Sequence, residues 1–537
     1  MQRDGSLAMA LEELETADEI VAHNLLGFDL PALKKVYPGW SPRGKLRDSL
    51  VIGRTIWPDE HLKMLDATSI RRKRPLPKNL VGRHSLEAWG HRLRDRKGQS
   101  PASWAHLTPE MLEYCVQDVI VLDLLWRRIQ AHAPTEAQIE LEQAFSLVCQ
   151  AQIERGFRLN VGAVNALVMG LTARRATLDR DLREAFPDFT EEYETPKKKL
   201  KRTRVTVFNP QSRAHIARSL VTKYGWKPTQ YTKEGAVQMD EGVLKELPYP
   251  EAKVAAERLM MKTRLGQVAE GDQAWLKLVQ ADGRVHGVML HNAAVTGRCT
   301  HRRPNMSAVP KMNRVWGPEC RRCWVAGPGN SLVVVDASGL EARILGHYAH
   351  RFDGGELATM LLEGDLHQRN ADLLGTDRDR AKTLFYAVLY GAQGGKAAKI
   401  LGTALQAGDR ARTKLLQSMP GLNRLIRAVE ADAKARGWLR TLDGRRLWVR
   451  KQHAALNTLV QGAGAIVMKY AVVQAAHNLG PGQVAFVHDE IVYDVPTADA
   501  DATAVVLREC VRGAGEHFKL RVPLDAKAHV GKDWSCK

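Results

Sequence analysis

Two hydrophobic rhythms alternate along the chain. Short apolar runs bounded by polar turns interrupt longer stretches in which apolar residues recur every three to four positions. Ser331-Leu332-Val333-Val334-Val335-Asp336 is the sharpest short run. Its β-branched residues predict a buried strand, with Asp336 emerging at the sheet edge. Residues 339–349 follow with a helical pattern, and Ser338 is the candidate N-cap. Residues 484–487, the polar tripeptide His488-Asp489-Glu490 and residues 491–495 read as strand, tip, strand. That is a hairpin signature, with two carboxylates at the tip. Residues 377–391 predict a helix on which Arg378, Lys382, Tyr386 and Tyr390 recur every four positions and share one slowly drifting face.

Upstream, residues 1–130 mix short apolar and helical segments, residues 135–185 and 206–285 read as helical, and no repeat of 20–50 residues is present. Two basic runs, Arg71-Arg72-Lys73-Arg74 and the stretch from Lys197 to Arg204, read as surface loops. The second needs only unpaired charge to meet phosphates.

The chain has 537 residues, 44 % hydrophobic and 26 % charged. That is ordinary for a globular protein and excludes a collagen, a disulfide-dense mini-protein and a mainly disordered chain. The formal net charge of +19 points to a polyanionic partner such as nucleic acid. Only Cys320 and Cys323 of the seven cysteines form a CxxC, and nothing completes a zinc site, so free thiols are expected. No uninterrupted apolar run approaches the ~18 residues of a membrane span, and residues 1–5 carry no signal pattern. The expectation is a cytoplasmic protein with no membrane partner.

The acidic strand ends carry the chemistry. Were Asp336 and Asp489 to converge at ~4–5 Å, their charges would repel by about 3–4 kcal/mol at an effective dielectric near 20. Such a pair stays ionised when hard cations sit between, and Mg²⁺ prefers such oxygen ligands. Two Mg²⁺ ions can serve both the attacking and leaving oxygens of phosphoryl transfer. On the helix, two cations followed by an aromatic ring match a nucleoside triphosphate. Gly391 to Lys396 is glycine-rich but has neither the spacing nor the Ser/Thr of a P-loop, which excludes that reading.

With these motifs in order, the chain resembles the family A DNA polymerases, most closely the replicative enzymes of short-tailed bacteriophages. Asp336-Ala337-Ser338-Gly339-Leu340-Glu341 resembles motif A, residues 378–391 motif B, and Val487-His488-Asp489-Glu490 motif C. Thr296-Gly297-Arg298 with Pro304-Asn305, and His453 to Gly464, resemble the primer–template segments. The resemblance implies an α/β fold, a right hand with an α+β palm. It implies a truncated ribonuclease H-like 3′–5′ exonuclease domain at 1–132, a thumb at 133–285, a palm at 286–355 and 450–537, and fingers at 356–449. It implies two Mg²⁺ held by Asp336, Asp489 and the Ala337 carbonyl, with Lys382 also catalytic. Arg378, Lys382 and His367 would hold the dNTP triphosphate. Tyr386 would stack on the nucleotide and, with Glu341, exclude a 2′-hydroxyl. Tyr at 386 further implies ready acceptance of dideoxynucleotides. Arg298, Asn457, Gln461 and His488 would meet the primer–template. Donors among them can probe minor-groove acceptors common to every base pair.

Ala22-His23-Asn24 with Asp29, and Tyr114 with Asp118, resemble the second and third motifs of proofreading exonucleases. The first, Asp-x-Glu, is missing; Glu13-Leu14-Glu15 lies in a predicted surface helix, residues 7–14. Impaired proofreading follows. The thumb lacks a sizeable insertion, so a thioredoxin partner is not expected, and the basic run at 197–204 is the candidate DNA clamp. A monomer is expected, with a replisome helicase–primase as a further partner. Two other readings remain open at this point. A single-subunit RNA polymerase shares the paired Asp and Lys-bearing helix but is disfavoured by Glu341 with Tyr386. A catalytically idle DNA-binding remnant is disfavoured by intact Asp336, Lys382 and Asp489.

Overall fold

The computed structural model describes all residues except 1–4, 72–75, 97, 99–100, 102, 104, 195–200, 233 and 363. Most of the first basic run, and Lys197, Lys198 and Lys199 of the second, lie outside the described residues.

A four-stranded antiparallel sheet lies at the centre. Its spatial order is Gln483–Val487, Glu490–Pro496, Asn330–Ala337, Ala526–Gly531. In the strand Asn330–Ala337, Val333 and Val335 face one apolar cluster and Leu332 and Val334 the other. Burial on both faces explains why this strand reads as a continuous apolar run rather than an alternating one. The first face is covered by helices Ala455–Leu479 and Ala500–His517. The helical stretch Gln452–Leu479 is long and apolar enough by composition to cross a membrane, unlike any unbroken apolar run in the sequence. Its most apolar window is 72 % buried in the protein, which identifies it as a core helix.

Among the described residues, six helices between Glu356 and Arg436 pack on one another and on helix Leu340–Asp353. Two of them, Gly394–Leu401 and Leu405–Gln417, pack so closely that a Cβ on Gly408 would lie 2.4 Å from the Ala398 nitrogen. Only glycine fits there. The helix Arg378–Leu389 begins at Asp377, whose side chain accepts from the Arg380 N–H. It ends at Tyr390 and Gly391, where φ is +83° and a Cβ would strike the His453 carbonyl.

Upstream, helix Val161–Ala185 packs along Pro250–Leu265. Helix Arg213–Tyr224 adds Ile216 and Leu220 to a cluster with Leu182, Phe186 and Phe208. The second basic run departs from the loop expectation. Lys201 to Arg204 lie in the strand Lys201–Thr206, paired antiparallel with Phe189–Glu194. The register sets Glu191 opposite Arg204 and Glu194 opposite Lys201. The pairing strand ends seven positions upstream, and a basic composition by itself carries no strand signal.

Among the described residues of the first 130, helices flank a two-stranded parallel sheet, Glu19–Ala22 with Lys45–Asp48. Residues 7–14 lie in the helix Gly5–Thr16, as expected. Ile52, Trp57, Leu62, Trp89, Val121 and Leu125 form the local core. A buried polar knot ties this region to the rest. Glu142 on helix Glu136–Arg155 meets Lys469, Arg445 and Asn292, and Asn292 also donates to Thr55 Oγ1 at 3.0 Å. All seven cysteines are free, as expected.

Candidate active site

Strand register brings the two candidate metal-binding aspartates together. Glu490 pairs with Asp336 across the sheet, and the Ala337 N–H donates to the Asp489 carbonyl at 3.0 Å. The turn between the hairpin strands is His488-Asp489, with His488 at φ +60°, in the left-handed region. Burial raises the Asp489 pKa above its ordinary value, and the Asp336 charge raises it further. Lys311 and Lys537 act against that rise.

Two local expectations need correction. The hairpin tip presents one free carboxylate, not two. Glu490 is a strand residue, only 4 % exposed. Its Oε1 accepts from Arg321 at 3.3 Å and Trp534 Nε1 at 2.5 Å, and its Oε2 from Lys537 at 2.8 Å. Arg321 and Lys537 outweigh burial and hold its pKa below the usual value. Ser338 does not cap the next helix. Leu340–Asp353 starts after Gly339, at φ +60°, without a side-chain cap. A left-handed glycine turns the chain there, and the Ser338 N–H instead donates to the Asp525 carbonyl.

Glu341, in the first turn of that helix, joins the sheet to the cationic helix. Its Oε1 accepts from Arg298 Nη2 at 2.6 Å and its Oε2 from the Tyr390 hydroxyl at 2.8 Å. Burial and Glu341 push the Tyr390 phenol up to about 12. The Tyr386 ring lies 6.5 Å from that of Tyr390 and 5.7 Å from that of His367. Asn457 lines a small cavity with Glu341, Tyr386 and Tyr390, and its Oδ1 is buried without a partner. Gln461 lies one turn further along Ala455–Leu479, half-buried.

Two turns from Tyr390, about 12 Å along the axis, Lys382 is exposed. Arg378 Nε is paired with Asp365 Oδ2 at 2.8 Å. His367 lies within the field of both cations; burial, then Lys382 and Arg378, lower its pKa. Its Nδ1 is buried without a partner. Three nitrogen-bearing groups therefore share one region, as an anion site requires. His488 is also lowered, by burial and then by Arg298 and Lys311.

In the first domain, Tyr114 and Asp118 lie one turn apart on helix Pro109–Gln130. Asp29 ends the π-helical turn Leu25–Asp29. Its pKa is raised, chiefly by burial and also by Asp48, while a backbone hydrogen bond opposes the rise. Asp48 was not singled out in the sequence. Its carboxylate accepts the N–H groups of Asn24, Leu26, Leu50 and Val51. Lys311 and Lys537 were also missed, because lone lysines carry no local signal.

Among the described residues no three His, Cys, Asp or Glu side chains form a ready metal cage. Two carboxylates are nonetheless a suitable protein share for Mg²⁺, which retains waters and takes substrate phosphates. The Asp336 carboxylate already holds a cation, the Lys537 ammonium, at 2.8 Å.

Sheet-end carboxylates tied through Glu341 to a cationic, aromatic helix define a nucleotidyltransferase of the right-hand class. The profile of the family described as DNA polymerase family A matches residues 180–536. The DNA-directed DNA polymerases of Enterobacteria phage T3 and Escherichia phage T7 are each 31 % identical over 99 % of this chain and 94 % of their own length. The thermostable DNA polymerase I of Thermus aquaticus is 27 % identical over 74 % of this chain and 48 % of its own. A solved structure, the POL domain of Pol1 from M. smegmatis in complex with DNA primer-template and dNTP, superposes with a TM-score of 0.76. It is 18 % identical and covers 99 % of this chain and 89 % of its own. The chain belongs to DNA polymerase family A. It is a DNA-directed DNA polymerase of the phage type, which removes the RNA polymerase and idle-remnant readings.

Proposed function

We propose that this polymerase extends a primer 3′-hydroxyl with dNTPs on a DNA template, using Mg²⁺ held by Asp336, Asp489 and the Ala337 carbonyl. The observation that carries the reading is the clasp of Glu341 by Arg298 and Tyr390, which links the carboxylate edge to the cationic helix. Bound magnesium would acidify the primer hydroxyl and neutralise charge growing on the phosphates.

The chain's own groups do the positioning, the main source of catalysis in phosphoryl transfer. Arg378, Lys382 and His367 would grip the triphosphate, and Arg378 would exchange Asp365 for phosphate. Lys382 would also deliver a proton to departing pyrophosphate. Tyr386 would stack on the base, while its ring and Glu341 crowd a 2′-hydroxyl. Arg298, Asn457, Gln461 and His488 would contact the primer–template; the unpartnered Asn457 Oδ1 suits such a role.

Residues 1–132 would be a truncated exonuclease-like domain of weak activity, since the Asp-x-Glu of the first exonuclease motif is missing. Residues 133–285 would serve as thumb, 286–355 and 450–537 as palm, and 356–449 as fingers. The enzyme would act as a monomer in the host cytoplasm, beside a helicase–primase and without thioredoxin. Primer extension by D336N, D489N and K382A tests the site. Each should lose at least a hundredfold in rate while binding primer–template normally. Wild-type rates in D336N or D489N would refute the metal assignment.

A further inference from the structure

Lys537 forms a link that the polymerase reaction does not require. One ammonium bridges two acidic strands, with Nζ 2.8 Å from Asp336 Oδ1 and 2.8 Å from Glu490 Oε2. Glu490 is itself anchored by Trp534 Nε1 and Arg321, and the Arg321 guanidinium lies over the Trp534 ring at 4.4 Å. Trp534 is buried, and its backbone N–H donates to the Trp324 carbonyl at 2.9 Å. The segment bearing Lys537 is therefore pinned three residues away, and its lysine head is held by a fixed carboxylate. The side chains of Lys537 and Asp336 are 30 % and 29 % exposed. Their contact opens to solvent, so a small cation can reach Asp336.

We infer that Lys537 is a tethered stand-in cation that competes with a divalent ion for Asp336 and weakens metal binding before a nucleotide arrives. Two carboxylates without a counter-ion repel. The ammonium relieves that repulsion at Asp336 while the site is empty. When the ion takes Asp336, Lys537 remains on Glu490, and its positive charge still opposes the arriving cation. A triphosphate brings several negative charges and offsets this opposition. The tether therefore couples metal occupancy to nucleotide occupancy. Lys537 is a positioning residue in this account, because it acts through Asp336.

The inference rests on Asp336 as a metal ligand, and the test separates the two claims. Mn²⁺ binding is measured by electron paramagnetic resonance of the free ion, on the full chain without DNA or nucleotide. K537M removes the charge. K537Q also removes it but retains an amide donor for Glu490, so one variant remains informative if the other misfolds. K537R keeps the charge. D336N is measured alone and combined with K537Q. We expect K537M and K537Q to bind the Asp336-dependent Mn²⁺ about tenfold more tightly, ~1.4 kcal/mol. K537R should match the wild type, and adding dGTP should shrink the difference. Equal or weaker Mn²⁺ binding by K537Q, with D336N still abolishing it, would overturn the stand-in role alone. Mn²⁺ binding indifferent to D336N would overturn the metal assignment beneath it.

Discussion

Replacing Lys469 by Met tests the buried knot that joins the N-terminal third to helix Ala455–Leu479. The Lys469 ammonium, 1 % exposed, contacts Glu142 Oε1 at 2.8 Å, Glu142 Oε2 at 2.9 Å and Asn292 Oδ1 at 2.6 Å. Met fills similar volume, so the change is chiefly electrostatic. Removing one partner of a buried pair costs ~3–5 kcal/mol, because the remaining charge is stranded. Glu142 keeps Arg445 and the Asn292 amide, which places the expected loss near the lower end, about 3 kcal/mol. At roughly 2–4 °C per kcal/mol for a unit of 150–250 residues, the calorimetric melt should fall by about 6–12 °C.

The pH dependence gives a second signature. Burial pushes the Glu142 pKa up, but Lys469 and Arg445 outweigh it and bring it down to about 2 from an ordinary 4.5. A depressed folded-state pKa stabilises the protein above pH 4.5, and that contribution fades as pH falls toward 2. Without Lys469 the Glu142 pKa climbs and the contribution shrinks. The gap between wild type and K469M should therefore be full at pH 7 and narrow below pH 4.5. A second substitution, Glu142→Leu, should recover part of the loss, since apolar replacement of a buried pair is often neutral. A K469M melt within about 2 °C of wild type at pH 7 would refute the reasoning, as would a gap that stays constant down to pH 3.

Three further outcomes are expected. Dideoxynucleotides should terminate extension readily, and Tyr386→Phe should raise discrimination against them about tenfold, ~1.4 kcal/mol, in single-nucleotide incorporation; poor termination by the wild type would contradict the role of Tyr386. Replacing Lys197, Lys198, Lys199 and Lys201 by Ala should shorten products and lower the salt dependence of DNA binding, by up to ~0.9 in slope for each phosphate that is no longer neutralised. An unchanged slope would exclude the clamp. Incubated with labelled primer, metal and no nucleotide, the chain should leave the primer nearly intact over a full extension time course, and strong degradation would overturn the impaired-proofreading reading.

Local patterns determined much of this protein. The run Leu332 to Val335 is apolar at every position because both faces of its strand are covered. The four-residue spacing from Arg378 to Tyr390 is set by helix geometry, so a shared face was readable before any fold was known. The fate of charged residues was not readable. Glu490 looked like a twin of Asp489, yet strand register turns it into the interior toward Arg321 and Trp534. Lys201 to Arg204 looked like a loop, yet their backbone pairs as a strand with Phe189–Glu194. Lys469 and Glu142 are 327 positions apart, and Lys537 meets Asp336 only once the segment around Trp534 packs against the sheet. Backbone periodicity acts over a few residues and is written in the chain. A charge finds its partner only when distant segments pack, and that was decided by the tertiary structure.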